Sequence, residues 1–380
     1  MKKTLLISLF FPPQRGGISN SLWNTCINLP QDKIVVLTKP SKVKPKADFK
    51  IYRRKILSNS KFIWPRWICL FWYTKKIIKK EEIEIIQAGQ ILPIGTVALI
   101  FKKLFKIPYH VYVYGQDILI MRRSKRKINL IKIILKNANM IITNSNYTKQ
   151  KTVELGAAPE KMIVVYPSPL GLINNNIDQQ YFEYFINKND LKNKKIILSV
   201  GNIVERKGQD TMIKVMPKLL KRFPEAIYLI VGRGPYKKNL EKIIKDLNLQ
   251  KNVRIFENIS DEELPYFYHA CDVFTMLSRE LKNKQGQVTD IEGFGIVYLE
   301  ANLFGKPVIG GNSGGVAEAI EHNVSGILVD PVNINEITEN FIKILSDKQF
   351  RQQLGEKGRA RALNEFQWLK EVDKIRQILR

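Results

Sequence analysis

Ile196-Ile197-Leu198-Ser199-Val200-Gly201-Asn202-Ile203-Val204-Glu205-Arg206-Lys207-Gly208 is the stretch that decides the fold. Its first five residues carry no charge and suit a strand buried on both faces, as in a parallel sheet. Glycines then bracket a polar turn, and residues 209–222 carry the periodicity of an amphipathic helix. Strand, glycine turn and helix make half of a βαβ unit. The pattern repeats downstream, with strands predicted at 227–231, 253–256, 273–276, 307–310 and 326–329 and helices at 238–247, 261–270 and 296–304. Upstream it predicts strands at 4–11, 34–37, 83–87, 109–114, 140–144 and 163–166 and helices at 19–29, 93–105 and 127–137. Residues 170–195 are polar and irregular, which places a connection between two domains there. The expected fold is α/β, with two Rossmann-like doubly wound domains facing across a central cleft. Their expected bounds are 1–185 and 186–365, with a last amphipathic helix at 366–380 packing back on the first. Such sheets bind ligands at the carboxyl ends of their strands.

The 380 residues are too many for one ordinary core. Cys26, Cys69 and Cys271 are odd in number and far apart, which argues against a disulfide framework and suits a reducing compartment. Three scattered histidines make a histidine metal centre unexpected. Lys2-Lys3 and the short apolar run up to Pro12-Pro13 read as a first strand and not as a secretory leader. No window reaches the roughly 18 uncharged apolar residues of a membrane span. The net charge is +27. Residues 1–190 hold 32 Lys and Arg against 11 Asp and Glu, and residues 191–380 hold 30 against 24, so the first half carries most of the excess. Nucleic acid, an anionic lipid surface and a merely solvated basic face are the three readings of that excess. Trp64, Trp67 and Trp72 alternate with Lys75, Lys76, Lys79 and Lys80, as in a helix lying in a membrane interface or in one packing its aromatics on the sheet. Arg122-Arg123-Ser124-Lys125-Arg126-Lys127 is a second basic cluster.

The strongest chemical signal is Glu292-Gly293-Phe294-Gly295-Ile296-Val297-Tyr298-Leu299-Glu300. Two carboxylates stand eight positions apart, and a glycine loop turns between them into an apolar helix. Glycine lets backbone N–H groups approach a ligand, and a helix start favours an anion. Glu300, a turn inside, suits two vicinal hydroxyls of a ribose, and Glu292 suits a hexose. A helix cap with acids near a positive dipole end is the plainer alternative. Lys207 and Arg206 follow a predicted strand and offer the cations that a diphosphate leaving group needs. Gly16-Gly17 opens the first helix as a second phosphate nest, with Arg15 before it. Val231-Gly232-Arg233-Gly234-Pro235 follows another strand. Tyr114-Gly115-Gln116-Asp117 ends a strand of the first domain, where Asp117 either orients an acceptor or caps a helix.

The string Thr289-Asp290-Ile291-Glu292-Gly293-Phe294-Gly295-Ile296-Val297-Tyr298-Leu299-Glu300-Ala301, with Gly305-Lys306-Pro307-Val308-Ile309 after it, resembles the signature of the family 4 retaining glycosyltransferases of the GT-B fold. Within them it is most similar to the phosphatidylinositol mannosyltransferases. The resemblance implies a nucleotide-sugar donor, a metal-independent reaction and retention of anomeric configuration by front-face attack. It implies Lys207, Glu292 and Arg206 as catalytic residues. Gly16, Gly17, Asn202, Gly232, Gly293, Phe294, Gly295, Ile296 and Glu300 would bind the donor, and Arg15, Tyr114 and Asp117 would contact acceptor or sugar. Asn202 stands where the family has an arginine on the phosphates, and Tyr114 where it often has a histidine on the hexose. No cofactor or metal is expected. GDP-mannose is favoured as donor and a UDP-hexose comes next. The expected acceptor is lipid-linked or membrane-associated, in glycolipid, capsule or lipopolysaccharide synthesis, and the expected place is the cytoplasm, peripheral on the inner face of the membrane. A nucleotide-sugar epimerase on the same fold and a basic nucleic-acid-binding protein are the rival readings. No nucleic acid is expected as a partner, since no reader motif is present.

Overall fold

The computed structural model describes residues 1–14, 16–43, 45–58, 65–119, 124–169 and 177–380. The chain forms two compact units, Met1–Pro167 with Trp368–Arg380, and Ser168–Gln367. The expectations for Arg15, Trp64, Arg122 and Arg123 lie outside the described residues.

Among the described residues the first unit holds seven strands: β1 (Thr4–Ile7), β2 (Ile34–Thr38), β3 (Lys50–Arg53), β4 (Ile85–Ala88), β5 (Tyr109–Val113), β6 (Met140–Thr143) and β7 (Met162–Val164). They pair in parallel in the order β3-β2-β1-β4-β5-β6-β7. β1, β2, β4 and β5 are buried along their whole length, which is why they read as unbroken apolar runs. The first strand stops at Ile7 and not at residue 11. The Ser8 hydroxyl accepts from Phe10 N at 3.0 Å and donates to Phe10 O at 2.7 Å, and this local turn competes with the ladder. The helix Trp368–Ile378 belongs to this unit. Trp368 is buried and donates from Nε1 to Asn24 O at 3.0 Å. Glu371 accepts from Tyr166 N at 2.8 Å, and Arg376 donates to Asn28 O at 3.0 Å.

The second unit holds β8 (Lys195–Val200), β9 (Ala226–Val231), β10 (Val253–Phe256), β11 (Val273–Met276), β12 (Leu281–Lys282), β13 (Val288–Asp290), β14 (Val308–Gly311) and β15 (Ile327–Val329). Six of them form a parallel sheet in the order β10-β9-β8-β11-β14-β15, and β12 and β13 form a separate antiparallel hairpin. Strand order reverses between β8 and β11, so the loops leaving these two strands diverge at a topological switch point. The region 170–195, expected to be irregular, contains a helix, Gln179–Lys188, which belongs to the second unit. Asp178 caps it by accepting from Tyr181 N at 3.0 Å, and its buried Phe185 meets Phe267 edge-on with ring centroids 4.9 Å apart. Its polar face is solvated, which is why composition alone concealed it.

Candidate functional site

In the second unit the loop after β8 runs from Gly201 to Gly208, where the helix Gln209–Arg222 begins. Gly208 has φ +70°, and a Cβ there would lie 2.0 Å from Leu277 O, so only glycine lets this turn pack on the loop after β11. The loop after β9 is zipped to it. Gly201 N donates to Val231 O at 2.9 Å, Ile203 N to Arg233 O at 2.9 Å, and Tyr236 N to Ile203 O at 3.1 Å. A Cβ on Gly232 would meet Gly201 O at 1.9 Å. Two loops from neighbouring strands are thereby held as one rigid platform.

Lys207 and Arg206 end a single 3-10 turn of this platform and are both buried. They converge on Glu292, which lies two residues beyond β13. Lys207 Nζ and Arg206 Nη1 each lie 2.6 Å from Glu292 Oε2, and Ser278 Oγ donates to the same oxygen at 3.4 Å. Arg206 Nε lies 3.2 Å from Asp290 Oδ1. The guanidinium thus sits between two carboxylates, where the sequence had placed it on phosphate. Burial alone would raise the Glu292 carboxyl, but the charges of Lys207 and Arg206 outweigh it and hold it at about 2. Burial lowers Lys207, against the attraction of Glu292. Asp290 and Ser278 are the members that the motif reading did not assign. The alternation of Asp290 and Glu292 along an extended strand end was the available signal, since residues two apart share a face.

The helix Ile296–Leu303 starts at Gly295, φ +95°, and no side chain caps it. Gln209–Arg222 starts at Gly208, also without a side-chain cap. Both therefore leave first-turn N–H groups free of side-chain acceptors, as an anion site requires. Phe294 is buried against Phe366, with ring centroids 5.7 Å apart, and fixes the entry of the glycine loop. Gly293 precedes it, and Ile296 opens the helix after Gly295. Glu300 accepts from Tyr268 OH at 2.7 Å, and burial raises its carboxyl. Asn202 is exposed on the platform.

In the first unit, Gly16 precedes the helix Gly17–Ile27 with φ +143°, and no side chain caps that helix. The end of β1 is tied to the end of β4, where Leu9 N donates to Gln90 Oε1 at 2.9 Å and Gln90 Nε2 to Ser8 Oγ at 3.0 Å. Asp117 Oδ1 accepts from Tyr114 N at 3.1 Å, which makes Asp117 a local cap. Its Oδ2 and the Tyr114 hydroxyl are buried without a partner among the described residues. Burial pushes the Asp117 carboxyl up to about 7. Both groups stand beyond the carboxyl end of β5, where a polar ligand would satisfy them.

Among the described residues, no group of three or more His, Cys, Asp or Glu side chains gathers as a metal site, and no helix is long and apolar enough to cross a membrane. Trp67 and Phe71 of the basic aromatic stretch pack against the core of the first unit, whereas Trp72 is 59% exposed.

The profile of glycosyl transferases group 1 matches residues 182–361, and that of glycosyltransferase family 4 matches residues 15–168. The chain is 27% identical over 384 residues to a GDP-mannose-dependent alpha-(1-6)-phosphatidylinositol monomannoside mannosyltransferase of Mycolicibacterium smegmatis, covering 99% of this chain and 97% of that one. It is also 27% identical over 387 residues to a GDP-mannose-dependent monoacylated alpha-(1-6)-phosphatidylinositol monomannoside mannosyltransferase of Corynebacterium glutamicum, covering 97% and 95%. Among solved structures, Anabaena HepE in complex with UDP and glucose matches with a TM-score of 0.81 at 20% identity, covering 100% of this chain and 99% of that one. Sucrose-phosphate synthase of Thermosynechococcus elongatus matches with a TM-score of 0.82 at 19% identity, covering 100% and 98%. The two structures share the GT-B fold with this chain.

Proposed function

Because the chain belongs to the family 4 glycosyltransferases, we propose that it moves a hexose, with retention and without a metal, from a nucleotide-sugar to a lipid-linked or membrane-associated acceptor. The observation that carries this reading is the buried Lys207–Glu292–Arg206 cluster at the switch point of the second sheet, beside two uncapped helix starts. In the reaction the acceptor hydroxyl attacks the anomeric carbon from the face that the diphosphate leaves. The bond between that carbon and the phosphate oxygen breaks as the new glycosidic bond forms, and the leaving diphosphate takes the acceptor's proton. Lys207 and the helix starts stabilise the charge that develops on the diphosphate. Glu292 and the backbone of the glycine loop hold the transferred sugar. GDP-mannose is the favoured donor because mannosyltransferases that use it are similar to this chain along nearly its whole length. A UDP-hexose is the second choice.

Thermal stability measured in EDTA with GDP, UDP, ADP and their sugars tests the donor. A ligand at a hundredfold excess over its Kd adds about 2.7 kcal/mol of stability. GDP and GDP-mannose are expected to raise Tm selectively. A shift with UDP alone would reassign the donor, and a shift that needs a divalent cation would overturn the metal-free reading. No shift with any nucleotide would overturn the donor site.

The acceptor side of the proposal places the enzyme peripherally on the inner face of the membrane. Trp72, Leu104 and Phe105 are 59%, 66% and 43% exposed. Lys75 Nζ lies over the rings of both Trp72 and Phe105, at 5.6 and 5.8 Å. Exposed apolar groups set among lysines suit an anionic lipid surface. Sedimentation with vesicles checks this. Binding is expected to anionic and not to zwitterionic vesicles, and Trp72→Ser with Leu104→Ser should lower the bound fraction severalfold. Equal binding of the double variant would remove this surface from the proposal.

A further inference from the structure

The charges at the switch point cancel. Arg206 and Lys207 face Asp290 and Glu292 at 3.2 Å or less, so two cations meet two carboxylates. Glu300 adds a further carboxyl on the adjoining helix. A diphosphate entering this site brings negative charge that the cluster, already neutral, does not balance. Helix starts supply only about half an elementary charge each. Asn202, neutral and exposed on the platform, adds none.

We propose that Arg233 is a diphosphate-binding residue of the donor site and supplies the cation that the cluster lacks. The inference rests on the donor-site reading above. Arg233 leaves the end of β9 on the loop zipped to the platform, its own carbonyl accepting from Ile203 N at 2.9 Å. Glycines stand on both sides of it. Cβ atoms on Gly232 and Gly234 would meet Gly201 O at 1.9 Å and Ile203 O at 2.2 Å, so the backbone carrying Arg233 is held against the loop that carries Lys207. Its side chain is exposed, and its guanidinium has no carboxylate or hydrogen-bond partner among the described residues. Two neighbouring cations are already engaged. Arg279 grips Asp210 with two bonds of 3.0 Å each, and Lys237 pairs with Glu257 and, at 3.6 Å, with Glu241. A guanidinium presents paired donors that match two phosphate oxygens, which a single ammonium does not. A rigid base with an unpaired fork is what capture of a diphosphate requires.

Calorimetric titration of the full chain with GDP, UDP and inorganic pyrophosphate tests the proposal. The expected result is that Arg233→Ala weakens the preferred nucleotide about tenfold, the loss of one charge-assisted contact. Arg233→Glu should weaken it further, and Arg233→Lys should keep part of the affinity. Pyrophosphate should lose affinity in parallel, and the salt dependence of binding should become shallower. Because the side chain is exposed, Tm should not change, and Arg233→Gln repeats the test should the alanine variant lose stability. Unchanged affinity for the nucleotide in Arg233→Ala would overturn the inference and leave the donor site standing. Weakened nucleotide with unchanged pyrophosphate would also overturn it, by moving Arg233 to the base. If the wild-type chain bound neither nucleotide, the donor-site reading would fall and this inference with it.

Discussion

Lys207→Ala is expected to lower the rate of sugar transfer by about a hundred- to a thousandfold, the loss seen when one preorganised charge-stabilising donor is removed from an active site. An ammonium about 4 Å from one unit charge, at an effective dielectric near 20, is worth about 4 kcal/mol. A helix start contributes at most about 2 kcal/mol. The platform can therefore orient the leaving diphosphate without Lys207, but it cannot supply the same charge. The lost interaction strengthens as the bond breaks, so the fall should appear in kcat more than in the donor KM. The variant should fold, because Arg206 remains 2.6 Å from Glu292 and keeps that carboxylate paired. Initial rates with saturating donor check the prediction. A variant that retained a tenth of the wild-type rate would remove Lys207 from the centre of the mechanism.

That Lys207 and Glu292 belong to one site was legible in the sequence because each lies at a glycine-marked passage from strand to helix, and such passages gather at one edge of a parallel sheet. What could not be read was their direct contact. Arg206 and Glu292 are 86 positions apart, and their meeting depends on β8 and β11 lying side by side, a pairing that no local pattern encodes. The motif therefore assigned Arg206 to phosphate by its charge, while the fold surrounds it with Asp290 and Glu292. Elements were legible in proportion to their burial. β8 and β9 are buried almost throughout and were found within a residue of their ends. β3, with the sequence Lys-Ile-Tyr-Arg, is a half-buried edge strand whose alternation is too short to stand out, and it escaped notice. The hairpin of β12 and β13 escaped for a similar reason, as two- and three-residue strands carry almost no periodicity. It nevertheless matters to the site, since β13 ends at Asp290.

The same cluster makes the loss of Glu292 costly to stability. Glu292→Ala leaves the buried ammonium of Lys207 without its carboxylate and Arg206 with Asp290 alone, and breaking a buried pair in this way costs about 3–5 kcal/mol. The acid dependence gives an independent measure. The Glu292 carboxyl stands at about 2 in the folded chain against an ordinary 4.5. A depressed carboxyl contributes stability that is present above its unfolded value and is lost as pH falls through its folded value, so the window lies between these two figures. At 1.36 kcal/mol per pKa unit, the contribution is about 3 kcal/mol. Urea unfolding of wild type and Glu292→Gln across that window should show the wild type losing about 3 kcal/mol more than the variant on acidification. Glu292→Gln keeps the shape and one acceptor, so its stability at neutral pH should lie between those of wild type and Glu292→Ala. Equal acid sensitivity of wild type and Glu292→Gln would mean that Lys207 and Arg206 do not hold the carboxylate in solution. The neutral cluster from which Arg233 was inferred would then not exist, so this measurement bears on donor binding as well as on the fold.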